Sequence, residues 1–202
     1  MKKMGSFLLL LWATNVHCDA VGDTLQAKLN AIRTMSASFG QVVNAKKHEV
    51  SRSSGTMALL RPGHFRWQTT RPLAQLVIAD GQQVWIYDAD LEQVTVKKQQ
   101  KGLGGTAALF LSGYDDTVTR DFDVTSYKKD NKEYFDLRAK SGKENFQRMI
   151  LVFLGSELRG IELFDQLGQH TNVTLSNVKN NPTLSTALFK FKTPRGVDVV
   201  EQ

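Results

Sequence analysis

The chain is poor in the residues that carry most site chemistry. Its 202 residues include one cysteine, four histidines and four prolines. A lone cysteine forms no intramolecular disulfide and builds no thiolate zinc cage. His17, His48, His64 and His170 lie in distant segments. No pair of them has metal-ligand spacing, and no Gly-x-Ser-x-Gly nucleophile turn is present. Gly102-Leu103-Gly104-Gly105-Thr106 has the glycines of a phosphate loop but not its Gly-Lys-Ser/Thr ending. No metal, cofactor or catalytic set is therefore expected. The chain also lacks any apolar run of the roughly 20 residues that a membrane-spanning helix needs. Neither charge sign dominates: 26 Lys and Arg stand against 20 Asp and Glu, a net charge of +6. The bases occur in scattered groups (Lys46-Lys47, Lys97-Lys98, Lys128-Lys129, Lys190/Lys192/Arg195), which reads as solvated strand edges rather than a nucleic-acid stripe.

What is present begins at the N-terminus. Lys2 and Lys3 precede the apolar run Phe7–Ala13, and Val16-His17-Cys18 follows. This order reads as a secretory signal peptide over residues 1–18, cleaved after Cys18 or after Ala20. A lipidated Cys18 is the alternative, although His17 and Asn15 are unlike the small residue and the leucine wanted before such a cysteine. Cleavage leaves residues 19–202 as a single cysteine-free domain of net charge +4.

Residues 20–34 carry Val21, Leu25, Leu29 and Ile32 at helical spacing, which predicts one amphipathic helix. The pattern then changes to short runs of period two. Eleven strands are expected, near 35–43, 50–60, 64–70, 75–80, 83–88, 92–98, 118–126, 132–139, 146–154, 157–165 and 169–178. Arg61-Pro62-Gly63, Asp80-Gly81, Ser141-Gly142 and Leu154-Gly155-Ser156-Glu157 carry turn chemistry between them. Residues 103–113 and 182–188 read as helical interruptions. Asp88/Asp90 and Asp121/Asp123 are i, i+2 carboxylate pairs with no third ligand in sight; the first suits a turn and the second a solvated strand face. An antiparallel meander of this length curls or splits to bury its apolar face, and short helices are the obvious cover.

One segment conflicts with this bland picture. Leu59 and Arg61 share parity with Phe65 and Trp67 across a turn. If that parity faces the apolar side, a guanidinium points into the interior and needs acceptors such as helix-end carbonyls. The other reading is an exposed Arg before a turn.

Four motifs then become recognisable in order: Phe39-x-Gln41, Arg61-Pro62-x-x-Phe65-x-Trp67, Asp80-Gly81-x-x-Val84-Trp85-x-Tyr87-Asp88, and Leu188-Phe189-x-Phe191-x-x-Pro194-x-Gly196-Val197. Together they resemble the periplasmic outer-membrane lipoprotein carrier family, LolA, over essentially the whole chain. The resemblance implies an incomplete, half-open antiparallel β-barrel of about eleven strands under a helical lid. It implies a monomer in the periplasm of a Gram-negative bacterium, with a cavity for the acyl chains of lipoproteins. It also implies two protein partners, an ATP-driven inner-membrane transporter that loads the carrier and an outer-membrane receptor that unloads it. By the same resemblance Arg61 latches the lid, and Phe65 with the neighbouring Trp67 contacts cargo and transporter at the cavity mouth. Phe65→Glu is then expected to disturb cargo release or transporter contact.

Alternation anchored on Arg61 adds candidates for the cavity lining: Met57 and Leu59, Phe135 and Leu137, Ile161 and Leu163, Val173 and Leu175. Each pair can equally pack an ordinary core. In Leu76–Ile78 and Met149–Phe153 both parities are apolar, so alternation assigns no face. Burial of a methylene is worth about 0.8 kcal/mol, so three acyl chains of roughly 15 methylenes resist water by about 36 kcal/mol. A carrier must offset most of that and still let go. Two other classes fit less well. One is a membrane-anchored acceptor of the same fold, which needs a lipidated Cys18; the other is a periplasmic lipid or lipoprotein sensor, which needs room for a further domain.

Overall fold

The structure, a computed structural model, describes residues 20–99, 111–113, 117–140 and 146–202. The expected leader, the glycine-rich loop at 102–106, the Ser141-Gly142 turn and all but the last three residues of the 103–113 segment lie outside them.

Helix α1 (Ala20–Asn30) opens the described chain. It is shorter than the periodicity predicts, because Thr34 already begins the first strand. Leu25 and Leu29 are buried on its inner side, each worth roughly 1.5–3 kcal/mol. Six strands follow: β1 (Thr34–Ala45), β2 (His48–Leu60), β3 (His64–Arg71), β4 (Gln75–Asp80), β5 (Gln83–Asp88) and β6 (Gln93–Lys98). Helix α2 (Thr117–Asp121) leads into β7 (Phe122–Lys129), β8 (Lys132–Ala139), β9 (Phe146–Leu154), β10 (Glu157–Asp165) and β11 (Gln169–Asn180). A 3-10 turn (Thr186–Phe189) and strand β12 (Asp198–Glu201) complete it.

All twelve strands belong to one sheet, in the order β12-β6-β5-β4-β3-β2-β1-β11-β10-β9-β8-β7. Strands β7 and β12 end it without pairing to each other, so the sheet curves but does not close. This is the expected half-open antiparallel sheet with two corrections. The seventh strand starts at Phe122, not at 118, because Thr117–Asp121 is helical. A twelfth strand pairs parallel to β6, with Val199 opposite Val94. Asp121 therefore ends a helix and pairs with Arg120 at 2.8 Å instead of sharing a strand face with Asp123.

Two layers of apolar side chains explain the strands that read as apolar on both parities. The inner layer runs from Met35, Phe39, Met57, Leu59 and Phe65 to Phe135, Leu137, Met149, Leu151 and Phe153, and α1 and α2 cover one end of it. Gln26 accepts from the Val118 amide (3.0 Å) and joins the two helices. Lys28 anchors α1 to the sheet through Glu133 (3.0 Å) and the Gly155 carbonyl (3.2 Å). The outer layer is built differently on the two halves. Over β3–β5 the C-terminal segment lies across the sheet: Phe189 is fully buried, with His64 edge-on to it, and Phe191 stacks on Trp85. Ser185 caps the 3-10 turn by accepting from the Ala187 amide. Thus Val77 faces inward and Ile78 outward, and both are buried.

Over β8–β10, Ile150 and Val152 face outward beside a polar and aromatic network. Arg148 donates to both carboxylate oxygens of Asp136 (2.8 and 2.6 Å) and lies over the Phe164 ring, which stacks on His170. The Asp136 carboxylate raises the pKa of Arg148 and keeps it firmly charged. We expect Asp136→Ala to lower stability by about 1.5–3 kcal/mol, the range for a hydrogen bond to a charged group. Urea unfolding checks it; an unchanged midpoint would make the pair ornamental.

Two turn glycines stand where only glycine fits well. Gly63 and Gly81 take φ of +80° and +93°, a region that costs an L side chain strain. A Cβ on Gly63 would come within 3.1 Å of the Gly81 Cα, so the β2–β3 and β4–β5 turns touch through their glycines.

Candidate functional site

Helices α1 and α2 cover only part of the concave face. Beyond them lies an open groove of about 470 Å³, within the roughly 300–1,000 Å³ typical of small-molecule sites. Strand register places its walls. Trp67 on β3 sits opposite Val77 on β4, and Ile161 on β10 sits opposite Val173 on β11. Phe65, Leu163, Pro72 and Leu73 add apolar surface. Phe39 stacks on Trp67 at 3.7 Å between ring centroids, and Phe65 lies 6.0 Å from the same ring. The inner end of the groove is thus a rigid aromatic wall continuous with the core.

Five of the sequence-predicted residues meet here: Phe65, Trp67, Ile161, Leu163 and Val173. Phe65 is fully buried at the groove's inner end, so it does not stand at an exposed mouth; Trp67 is half-buried and Leu163 lies further out. Met57, Leu59, Phe135, Leu137 and Leu175 do not line the groove. They are buried in the inner layer that the helices cover.

Arg61 is 8% exposed, so the reading of an exposed turn residue does not describe it. Its amide donates to the Arg33 carbonyl at 2.9 Å. Its side chain borders a cavity of about 10 Å³ with Leu29, Ile32, Met35, Leu59, Leu111 and Leu158. Two residues on, the Gly63 amide donates to the Ser112 carbonyl at 2.7 Å. The β2–β3 turn therefore holds the end of the 103–113 segment, with Arg61 between that segment, α1 and the sheet.

Sequence alternation assigns none of the other groove residues to a cavity. Gln41, Ser51, Ser53, Thr69, Gln75 and Thr171 share the inward parity but are polar, so a search for apolar pairs passes over them. Asp88 also lines the groove, and its Oδ1 accepts from the Asp90 and Leu91 amides (3.2 and 3.3 Å), the turn role expected of it. No Lys or Arg lines the groove among the described residues. Among them, too, no three His, Cys, Asp or Glu side chains gather as a metal site, and no helix is long and apolar enough to cross a membrane.

Known proteins agree with this architecture. A family model described as outer membrane lipoprotein carrier protein LolA matches residues 30–192. The outer-membrane lipoprotein carrier protein of Legionella pneumophila (strain Paris) is 61% identical over 202 residues, all of both chains. That of Dechloromonas aromatica is 39% identical over 91% of this chain and 88% of its own. In fold, a LolA superfamily protein from Nitrosomonas europaea superposes with a TM-score of 0.50 at 14% identity, over 85% of this chain and 98% of its own. An uncharacterized conserved protein from Thermus thermophilus gives 0.53, also at 14% identity, over 89% and 99%. With its open twelve-stranded sheet and helix-covered apolar face, this chain belongs to the LolA family of outer-membrane lipoprotein carriers.

Proposed function

We propose that the protein carries lipoproteins through the periplasm by holding their acyl chains on the concave face of the sheet. The observation that supports this most is the groove: among the described residues it is open to solvent, and Phe65, Val77, Ile161 and Val173 belong both to its wall and to the buried core, with Trp67 packed against that core. A cargo chain entering there meets apolar surface without interruption. Displacing the helical cover extends the same surface over Leu59, Phe135 and Leu137. The exchange of helix for acyl chain needs only a few kcal/mol of bias in either direction. Arg61 is the residue that sets this bias. Residues 1–18 serve as the cleaved leader, so the carrier starts at a free Asp19 and shuttles between an ATP-driven transporter and an outer-membrane receptor. Its work is binding rather than catalysis.

The purified chain 19–202, incubated with spheroplasts, should come away in a soluble 1:1 complex with lipoprotein. Recovery of free protein alone would overturn the proposal. Leu163→Asp places a charge on the groove wall at a half-buried position. It should lower the yield of complex at least about tenfold, because an ion against acyl chains pays its desolvation, while leaving the melting curve intact. Phe65→Glu is a poorer probe, since it would bury a carboxylate in the core. Mass spectrometry of the mature N-terminus separates the shuttle from an anchored acceptor, which would carry lipid on Cys18.

A further inference from the structure

The groove is not uniformly apolar, and its polar part is ordered. Thr171 on β11, Gln41 on β1, Ser51 and Ser53 on β2, Thr69 on β3 and Gln75 on β4 form a belt across five neighbouring strands at its outer end. Register ties the belt together: Gln41 is opposite Ser53, and Thr69 is opposite Gln75. Among the described residues, none of the six side chains makes a hydrogen bond within the protein. Each hydroxyl or amide can donate and accept. Among the described residues, the one charged side chain lining the groove is the acidic Asp88.

We propose that this belt is a subsite for the neutral ester and amide linkages at the root of a lipoprotein's acyl chains, and that it disfavours phosphate-bearing lipids. The inference rests on the carrier reading above. Ester carbonyls only accept hydrogen bonds; an N-acyl amide does both. Uncharged hydroxyl and amide groups satisfy them at no cost in ion desolvation. A phospholipid offers the same chains and esters but brings a phosphate anion, which binds best to Arg, Lys or clustered backbone amides. The groove lining supplies no cation among the described residues and sets the Asp88 carboxylate beside the belt. Discrimination then follows from chemistry at the linkage, since acyl chains alone cannot tell cargo from bilayer.

The test uses the mature chain, three probes with two hydrocarbon chains of the same length and displacement of a fluorescent fatty acid. The probes are an S-diacylglyceryl cysteinyl peptide, its ether-linked analogue lacking ester carbonyls, and phosphatidylglycerol. The ester peptide should bind about tenfold more tightly than either other probe, as one or two hydrogen bonds imply. The triple variant Ser53→Ala/Thr69→Val/Thr171→Val should erase the preference for ester over ether. Asp88→Asn keeps the turn acceptor, removes the charge and should raise affinity for phosphatidylglycerol. If wild type bound all three probes equally, the belt subsite would be wrong and the carrier reading would stand. If it bound none, the carrier reading itself would fall. The substituted positions are exposed or half-buried, so melting curves should be unchanged, and a variant that unfolds is replaced by the single Thr171→Val.

Discussion

Gly55→Val is expected to abolish the folded state or to lower its stability by more than about 4 kcal/mol, a loss reserved for backbone or core disruption. Gly55 lies on β2 between Phe39 on β1 and Thr69 on β3, beside the register irregularity at Ser54. A Cβ there would stand 1.9 Å from the Gln68 carbonyl oxygen and 3.0 Å from the Phe39 ring. The nearer atom is backbone, so no rotamer change relieves the overlap and β3 must part from β2. Part of the groove wall would go with it, because the Phe39–Trp67 stack sits over the same place. Gly40→Ala on the next strand is the control. Nothing lies within 4 Å of its Cβ, and it should change stability by no more than about 0.5 kcal/mol, as surface substitutions do. Urea midpoints for the two variants decide the matter; equal values would show that the close approach is not structural.

Arg61→Leu is expected to leave loading intact and to slow delivery to the receptor by about 10- to 100-fold. A charged hydrogen-bonding group holding a cover in place contributes about 1.5–3 kcal/mol, which converts to that range. Leucine removes this contribution from the closed state and adds apolar surface that favours bound acyl chains. The burial of Arg61 beside α1, Leu111 and Leu158 is the observation behind it. A reconstituted transfer assay reads the outcome directly. Wild-type delivery by the variant would remove Arg61 from the cycle, and a parallel loss of loading would make its role merely structural.

Much of this architecture is legible in the amino-acid sequence. Period-two runs mark eleven of the twelve strands, whereas the shared parity of Leu59, Arg61, Phe65 and Trp67 leaves open whether Arg61 faces the interior or an exposed turn, and only its burial decides. The misses have separate physical causes. Val118 and Thr119 are β-branched and read as extended, yet the local chain turns helical against α1. Strand β12 is short, solvent-exposed and parallel, and only its partner β6 makes it a strand. The double apolar parity of β4 and β9 reflects two different covers on the convex side, the C-terminal segment and the Arg148 network, neither of which is local in sequence. The site divided along the same lines. Apolar alternation found the groove's greasy wall at Ile161, Leu163 and Val173. It also offered Phe135 and Leu137, which the helices bury, and it passed over the serines, threonines and glutamines that face the same space.

Strand β1 holds a position with a kinetic consequence. It pairs with β2 on one side and with β11 on the other, so it is where the two hairpin meanders join. Each meander can zip from local turns, but the joint between residues 35–45 and 169–180 closes a loop of most of the chain, and such long closures come late and slowly. Until then the nascent molecule has its apolar halves apart and the free edge of β1 exposed. The groove spans this same seam, so its two walls come together only when β1 pairs with β11.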